Sequence, residues 1–412
     1  MSEHAEEGPT TEDDPVPVLR EPRDGVPEPI TTPDQLARIV EAFGNGTGPV
    51  AVDAERASGY RYSQRAYLVQ LRRAGAGTAL IDPIALPELG PLGAALGDAE
   101  WILHAANQDL PCLAEVGLRP VRLFDTELAG RLLGDERVAL GTMVEQHLGV
   151  RLEKGYSAAD WSTRPLPHDW LVYAALDVEL LVALRQALAS QLDSVGKSEW
   201  AVQEFEAERT APGPPPREDP WRRTSGIHVI RNRRQLATVR ALWRARDRYA
   251  AERDVAPGRL LPDSAIISAA RANPRRPADL VALPVFGGPR QRRQTARWFA
   301  AITEARDLAD NDLPPITGGN SDPVPPASRW RDRSPEAADR LARCRAVVVE
   351  LAERHHVLAQ NLLASDIVRA LAWEPPTPPS EDAVRARLAQ LGARPWQVDL
   401  TGPGLAQALC TE

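Results

Sequence analysis

Five residues in the first half of this 412-residue chain are of types and spacings that suit chemistry. Asp53 and Glu55 close an apolar run in VAVDAER. Asp109 follows another in WILHAANQDL, and Tyr173 and Asp177 stand at i and i+4 in YAALD. Residues i and i+2 of a strand share a face, so Asp53 and Glu55 project together while Val50, Val52 and Ala54 point the other way. Two neighbouring carboxylates near a buried strand repel unless a cation lies between them. Mg²⁺ and Mn²⁺ prefer oxygen ligands and suit such a pair. Positions i and i+4 of a helix also share a face, which sets Tyr173 beside Asp177. Several carboxylates from different elements, converging with a tyrosine, fit phosphodiester hydrolysis at two divalent ions. Taken singly, each signal has a plainer explanation. These are a solvated strand end, an acid at a helix N-terminus and a surface aspartate.

The elements that must position these residues follow from periodicity. PVAVDAE, YLVQLRR, TALID and WILHAA are short apolar runs and predict strands of one sheet. TTPDQLARIVEAF, PELGPLGAAL, NQDLPCLAEVG, FDTELAGRLLG, GTMVEQHLGV and PHDWLVYAALDVELLVALRQALASQL predict helices. Strands first and helices after imply an α/β layer domain over 31–210. Residues 1–30 are acidic and Pro-rich, the composition of a disordered tail. A Pro-rich linker is expected over 211–224 and a helical module over 225–310. A second breaker stretch at 311–329 precedes a further helical module at 330–412, interrupted by PPTPPSED. The two modules are alike in size and helical character, as a divergent repeat would be.

Composition narrows the function. No apolar run reaches the ~18 residues of a membrane span, and the N-terminus lacks a basic region followed by an apolar stretch. Cys112, Cys344 and Cys410 are scattered and read as reduced thiols of a cytoplasmic protein. His355 and His356 have no partners at zinc spacing. GNGTGP precedes its strand and reads as a turn, and without a Walker A sequence the chain is not itself a helicase. The net charge of −8 hides an asymmetry. Residues 221–300 hold 18 arginines, no lysine and five acids, a local charge of +13 against −21 elsewhere. A basic module of this kind suits phosphate binding, which selects Arg231, Arg233, Arg234, Arg290, Arg292 and Arg293 as nucleic-acid contacts. A solvated arginine face is the alternative. Trp243, Tyr249 and Trp298 lie at helical spacing and are expected in that module's core.

With these residues in view, VAVDAER, LHAANQDL and YAALD resemble the three motifs of the DEDD 3′–5′ exonucleases, in the subclass whose third motif has tyrosine. YLVQL, ALIDP, LFDTELAGRLLG and YSAADWSTRPL are similar to ribonuclease D. The C-terminal half resembles helicase-and-RNase-D C-terminal (HRDC) domains, through RNRRQLATVRALWRARDRYAAERDVAP and, more weakly, LLASDIVRALAW. The resemblance implies an RNase H-like α/β exonuclease domain followed by two all-α HRDC-type domains. It also implies roles. Asp53, Glu55 and Asp177 would hold the ion that activates water. Asp53 would bridge to a second ion that Asp109 reaches directly or through water, and Tyr173 would position the nucleophile. Lys154 falls where the family carries a lysine, a phosphate contact or an ordinary surface residue. Pro111, just after Asp109, and the acidic tail depart from the pattern. The expectation is a monomeric, cytoplasmic 3′–5′ exoribonuclease using Mg²⁺ or Mn²⁺. It would trim structured RNA such as tRNA precursors to nucleoside 5′-monophosphates. The alternatives are the same chemistry on DNA 3′ ends, or a binding module on an inactive nuclease scaffold.

Overall fold

The computed structural model describes residues 16–153, 155–213, 217–316 and 324–410. Its strands are β1 (Val18–Leu19), β2 (Thr47–Arg56), β3 (Ala66–Ala74), β4 (Gly77–Ile81), β5 (Glu100–Leu103), β6 (Arg122–Asp125) and β7 (Arg151–Leu152). The main sheet runs β4-β3-β2-β5-β6. β2, β3 and β4 pair antiparallel, whereas β2, β5 and β6 pair parallel. Central strand β2 is covered on both faces, so Val50, Ala51 and Val52 are fully buried and the sequence there is continuously apolar rather than alternating. Its pairing with β5 stops at Ala51 opposite Ile102. Asp53 and Glu55 therefore lie beyond the end of the parallel ladder, in the crevice at the carboxyl ends of the strands where α/β sheets place ligands.

Three local expectations change. The start of the helix expected at FDTELAGRLLG is instead the end of strand β6; four residues carry too little period to announce a strand. Asp125 at its end caps the following helix, Thr126–Leu133, by accepting from Glu127 N and Leu128 N. The long helix expected after Pro167 is two helices, His168–Glu179 and Leu181–Ser194, parted at Leu180 without a Gly or Pro. The tail expected to be disordered over 1–30 is placed from residue 16 onward, with residues 1–15 outside the described residues. Arg151 N donates to Pro17 O at 2.8 Å, Ile30 N donates to Leu80 O at 2.7 Å, and Asp24 pairs with Arg72 at 2.8 Å. Backbone partners at both ends order a segment whose composition alone would not.

The two helical modules attach differently. In the middle one, the helices Arg233–Arg253, Asp263–Ala272 and Thr295–Asp307 surround their own core, which includes Leu242, Ile266, Phe286 and Trp298. Trp221 joins that core from within the expected linker, so the module starts earlier than residue 225. The C-terminal module has helices Pro335–Arg354, Ser365–Trp373, Glu381–Gln390 and Pro395–Cys410, and among the described residues its buried apolar side chains are continuous with those of the nuclease rather than forming a core of their own. Trp396 stacks on Trp200 at 4.5 Å and donates through Nε1 to Glu204 at 2.9 Å. Val324 belongs to the same core, so the second linker also ends inside folded structure. Gly134, at φ +93°, meets this module so closely that a Cβ there would lie 2.5 Å from His356 O.

Candidate active site

β2 and the helix His168–Glu179 bring three of the five residues together. One carboxylate oxygen from each of Asp53, Glu55 and Asp177 lies within 4.8 Å of the others. Strand parity delivers the first two and the helix crossing β2 delivers the third, with Tyr173 one turn earlier on the same helix. Asp109 stands outside that trio but lines the same cleft, of about 540 Å³, with Tyr173, His104 and Arg56. It enters from the turn after β5, between Ala106–Gln108 and the short helix Leu110–Glu115. Pro111 is the second residue of that helix, where no intrahelical N–H is needed. Lys154 lies outside the described residues.

The electrostatics are those of acids crowded away from water. Burial raises the carboxyl of Asp53 to about 6, opposed by its hydrogen bond with the Ala54 backbone and by Arg56. Burial pushes Glu55 well up, and the charges of Asp53, Asp177 and Asp109 add to it. Asp109 and Asp177 are raised by burial first and by Asp53 next. Such a cluster is unfavourable unless cations occupy it. An all-oxygen donor set of three converging carboxylates fits a hard divalent ion such as Mg²⁺ or Mn²⁺. Tyr173 is held well above its ordinary pKa by burial and then by Asp177, Glu55 and Asp53, so its hydroxyl remains a neutral donor. Trp161, fully buried, packs 6.3 Å from the Tyr173 ring, and Tyr156 meets the ring edge-on at 6.3 Å. Gly155 admits that loop, since a Cβ there would stand 3.3 Å from the ring.

Four further residues shape the site. Arg56 Nη2 lies 3.6 Å from Asp109 Oδ1, a cation inside the acid cleft. Gln70, fully buried and in register opposite Asp53, donates through Nε2 to Asp53 Oδ2 at 3.3 Å. Its signal in the sequence is a lone polar residue inside YLVQL. Asp125 accepts from Ala105 N at 3.2 Å and from Ala106 N at 2.7 Å, holding the turn that carries Asp109. Ala105 itself sits at φ +57°, a left-handed conformation that such a clamp maintains. His104 is lowered to about 4, chiefly by burial, and is neutral at working pH.

The basic residues divide. Arg233 donates to Pro314 O and Leu313 O, and Arg234 to Arg306 O, Leu308 O and the Asp310 carboxylate. Both therefore help close their module, Arg233 while exposed and Arg234 while half-buried. Arg231, Arg290, Arg292 and Arg293 are exposed and carry no ion pair among the described residues.

Residues 27–193 match the family model for a 3′-5′ exonuclease and residues 235–302 the HRDC domain model. Residues 323–409 match a model for a 3′ to 5′ exonuclease C-terminal domain, a family of its own rather than a second HRDC match. The fold and site are thus those of a 3′–5′ exonuclease carrying an HRDC domain and a further helical domain. Ribonuclease D of Gluconacetobacter diazotrophicus is 30% identical over 371 residues, 87% of this chain and 90% of that protein. The Escherichia coli enzyme is 32% identical over 295 residues, 69% of this chain and 76% of that one. Among solved structures, a Bifidobacterium adolescentis protein superimposes with a TM-score of 0.88 at 39% identity, covering 95% of this chain and 99% of its own. E. coli RNase D, described as an exoribonuclease involved in structured RNA processing, gives 0.66 at 26% identity over 93% of this chain and 98% of its own. This chain belongs to the ribonuclease D family and is a 3′–5′ exoribonuclease.

Proposed function

We propose that the chain trims 3′ extensions of structured RNA, tRNA precursors among them, to nucleoside 5′-monophosphates by a two-metal mechanism. The observation that carries this reading is the convergence of Asp53, Glu55 and Asp177 within 4.8 Å beside Tyr173. Asp53, Glu55 and Asp177 would hold one divalent ion, and Asp53 with Asp109 a second, either Mg²⁺ or Mn²⁺. When bound, the ions supply a lowered pKa for the attacking water and neutralise charge at the leaving oxygen. Tyr173 donates its hydroxyl proton in a hydrogen bond that orients the water. The water oxygen bonds to phosphorus as the P–O3′ bond breaks. The water gives up a proton as it attacks and the departing O3′ takes one up, so the shortened RNA gains a new 3′-hydroxyl and the released nucleotide carries the 5′-phosphate. Exposed Arg231, Arg290, Arg292 and Arg293 contribute phosphate contacts from the basic module. On this reading the enzyme acts as a monomer and in the cytoplasm, the latter in keeping with free Cys112, Cys344 and Cys410.

Asp53→Ala and Asp177→Ala are expected to abolish Mg²⁺- or Mn²⁺-dependent trimming of 5′-labelled RNA while leaving the protein folded. Full activity in either variant would overturn the site. Matched RNA and DNA strands, with products identified chromatographically, test the preference for RNA.

A further inference from the structure

Residues 253 to 256 alternate between two tasks. Asp254 and Ala256 grip the nuclease: Asp254 Oδ1 accepts from Ser63 N at 2.9 Å, Oδ2 from the Tyr67 hydroxyl at 3.3 Å, and Ala256 N donates to Tyr60 O at 2.9 Å. Arg253 and Val255, between and beside them, line a cavity of about 430 Å³ on the basic module together with Arg290, Arg293, Tyr249 and Trp298. Its floor is fixed. Buried Gln291 donates to Leu260 O and accepts from Trp298 Nε1 at 2.9 Å. Arg253, Arg290 and Arg293 are exposed, and none has a carboxylate partner among the described residues. The Arg253 guanidinium lies 5.4 Å from the Tyr249 ring centroid, but three guanidinium groups around one cavity still repel each other, and an anion would offset that repulsion.

The nuclease segment gripped here leads back to the acids. Ala54, Glu55, Arg56, Ser58 and Gly59 line a cavity of about 310 Å³ that shares Glu55 and Arg56 with the catalytic cleft. Gly59 O accepts from Arg259 Nε at 2.8 Å, and the Arg259 guanidinium lies 3.9 Å from the Tyr60 ring centroid. Acid cleft, Ser58–Gly59 cavity, Arg259 seam and arginine pocket thus follow one another along residues 53–67 and the module docked on them.

We propose that single-stranded RNA upstream of its 3′-terminal nucleotide leaves the acid cleft over Ser58 and Gly59 and seats backbone phosphates in the pocket of Arg253, Arg290 and Arg293. The forked guanidinium matches phosphate geometry. A phosphodiester strand repelled by the free acids of the cleft is held by the next cationic surface along its path. This route rests on the exonuclease reading above and deepens it.

The test is the triple substitution Arg253→Gln, Arg290→Gln, Arg293→Gln in the full chain. Its substrates are a dinucleotide and a long single-stranded oligoribonucleotide with the same 3′ end. The ratio of KM on long RNA to KM on the dinucleotide should rise roughly tenfold, and the salt dependence of long-RNA binding should flatten by about 2 in log–log slope, at ~0.7 for each phosphate no longer neutralised. The triple Arg→Lys variant should recover much of the affinity. An unchanged ratio, or a flattened slope without any change in affinity for long RNA, overturns the route. Anisotropy binding of the long RNA to the same variants in an Asp53→Asn background measures the grip without turnover. A wild-type protein inactive on both substrates would instead count against the exonuclease reading.

Discussion

The acid cleft and the arginine pocket are opposite in more than sign. Glu55 and Asp109 are buried and Asp53 and Asp177 half-buried in the cleft, and desolvation is the leading cause of every one of their raised pKa values. Arg253, Arg290 and Arg293 are exposed to water. Buried charges act in an interdependent, nearly all-or-none way, because removing one alters the field on the rest. Exposed charges act additively, weakly and under salt control. Chemistry is placed where the fold fixes position, and grip is placed where contacts can accumulate along a polymer.

The largest effect should come from Asp53→Asn, which keeps the shape and removes the charge. Turnover should fall on the order of a thousandfold or more. Metal-free thermal stability should hold or rise, because a buried carboxylate beside other acids has been deleted. Melting curves together with single-turnover trimming check this. Loss of both would make Asp53 structural and erase the contrast with the pocket.

A second effect separates the regions by pH. The folded-state value of Asp53, about 6, lies above the unfolded value of 3.8. The folded chain therefore holds a proton that the unfolded chain releases between those values. The stability from this group is full below the unfolded pKa and is lost as pH rises through about 6. A divalent ion must displace such protons, so the melting-temperature gain from Mn²⁺ should grow between about pH 5 and about pH 8. The Arg→Gln pocket substitutions should leave that growth intact. An equal Mn²⁺ gain at both pH values would overturn it.

Much of the cleft was legible in the sequence, because it depends on local geometry. Strand parity pairs Asp53 with Glu55, and the i, i+4 rule pairs Tyr173 with Asp177. What escaped depends on contacts distant in sequence. Asp125 acts on Ala105 and Ala106, about twenty residues earlier, and nothing within LFDTEL reveals it. β1 and β7 are two-residue strands defined only by each other. Counting arginines located a basic module but not the direction of each guanidinium. Arg233 and Arg234 turn inward to carbonyls while Arg290 and Arg293 face a cavity. The C-terminal module was legible as helical, but its shared core was not, since an apolar helix face does not name its partner.

Arg56 sharpens the comparison, being an arginine placed among the acids. Its 3.6 Å contact with Asp109 occupies a carboxylate that a second divalent ion would use. Arg56→Gln should therefore tighten the weaker of two Mn²⁺ binding steps roughly fivefold, the scale of a partly exposed ion pair of ~1 kcal/mol. The tighter step, at Asp53, Glu55 and Asp177, should change less. Calorimetric Mn²⁺ titration of the RNA-free protein measures both. Equal affinities in the two proteins would mean that Arg56 and the ion do not compete.

The smallest effect should come from the seam joining the regions. Arg259 makes one hydrogen bond to Gly59 O and one face contact with Tyr60, while Asp254 and Ala256 hold the same loop independently. Losing Arg259 should loosen docking by about 1 kcal/mol, a typical sum for an exposed cation–π contact and a hydrogen bond. The module should stay folded, because its core is its own. Hydrogen exchange of the amides in residues 57–65 should rise in Arg259→Ala, KM on long RNA should increase a few-fold, and dinucleotide turnover should shift less. If the dinucleotide suffers as much as the long strand, the docked module shapes the cleft itself, and the division between a cutting region and a holding region fails.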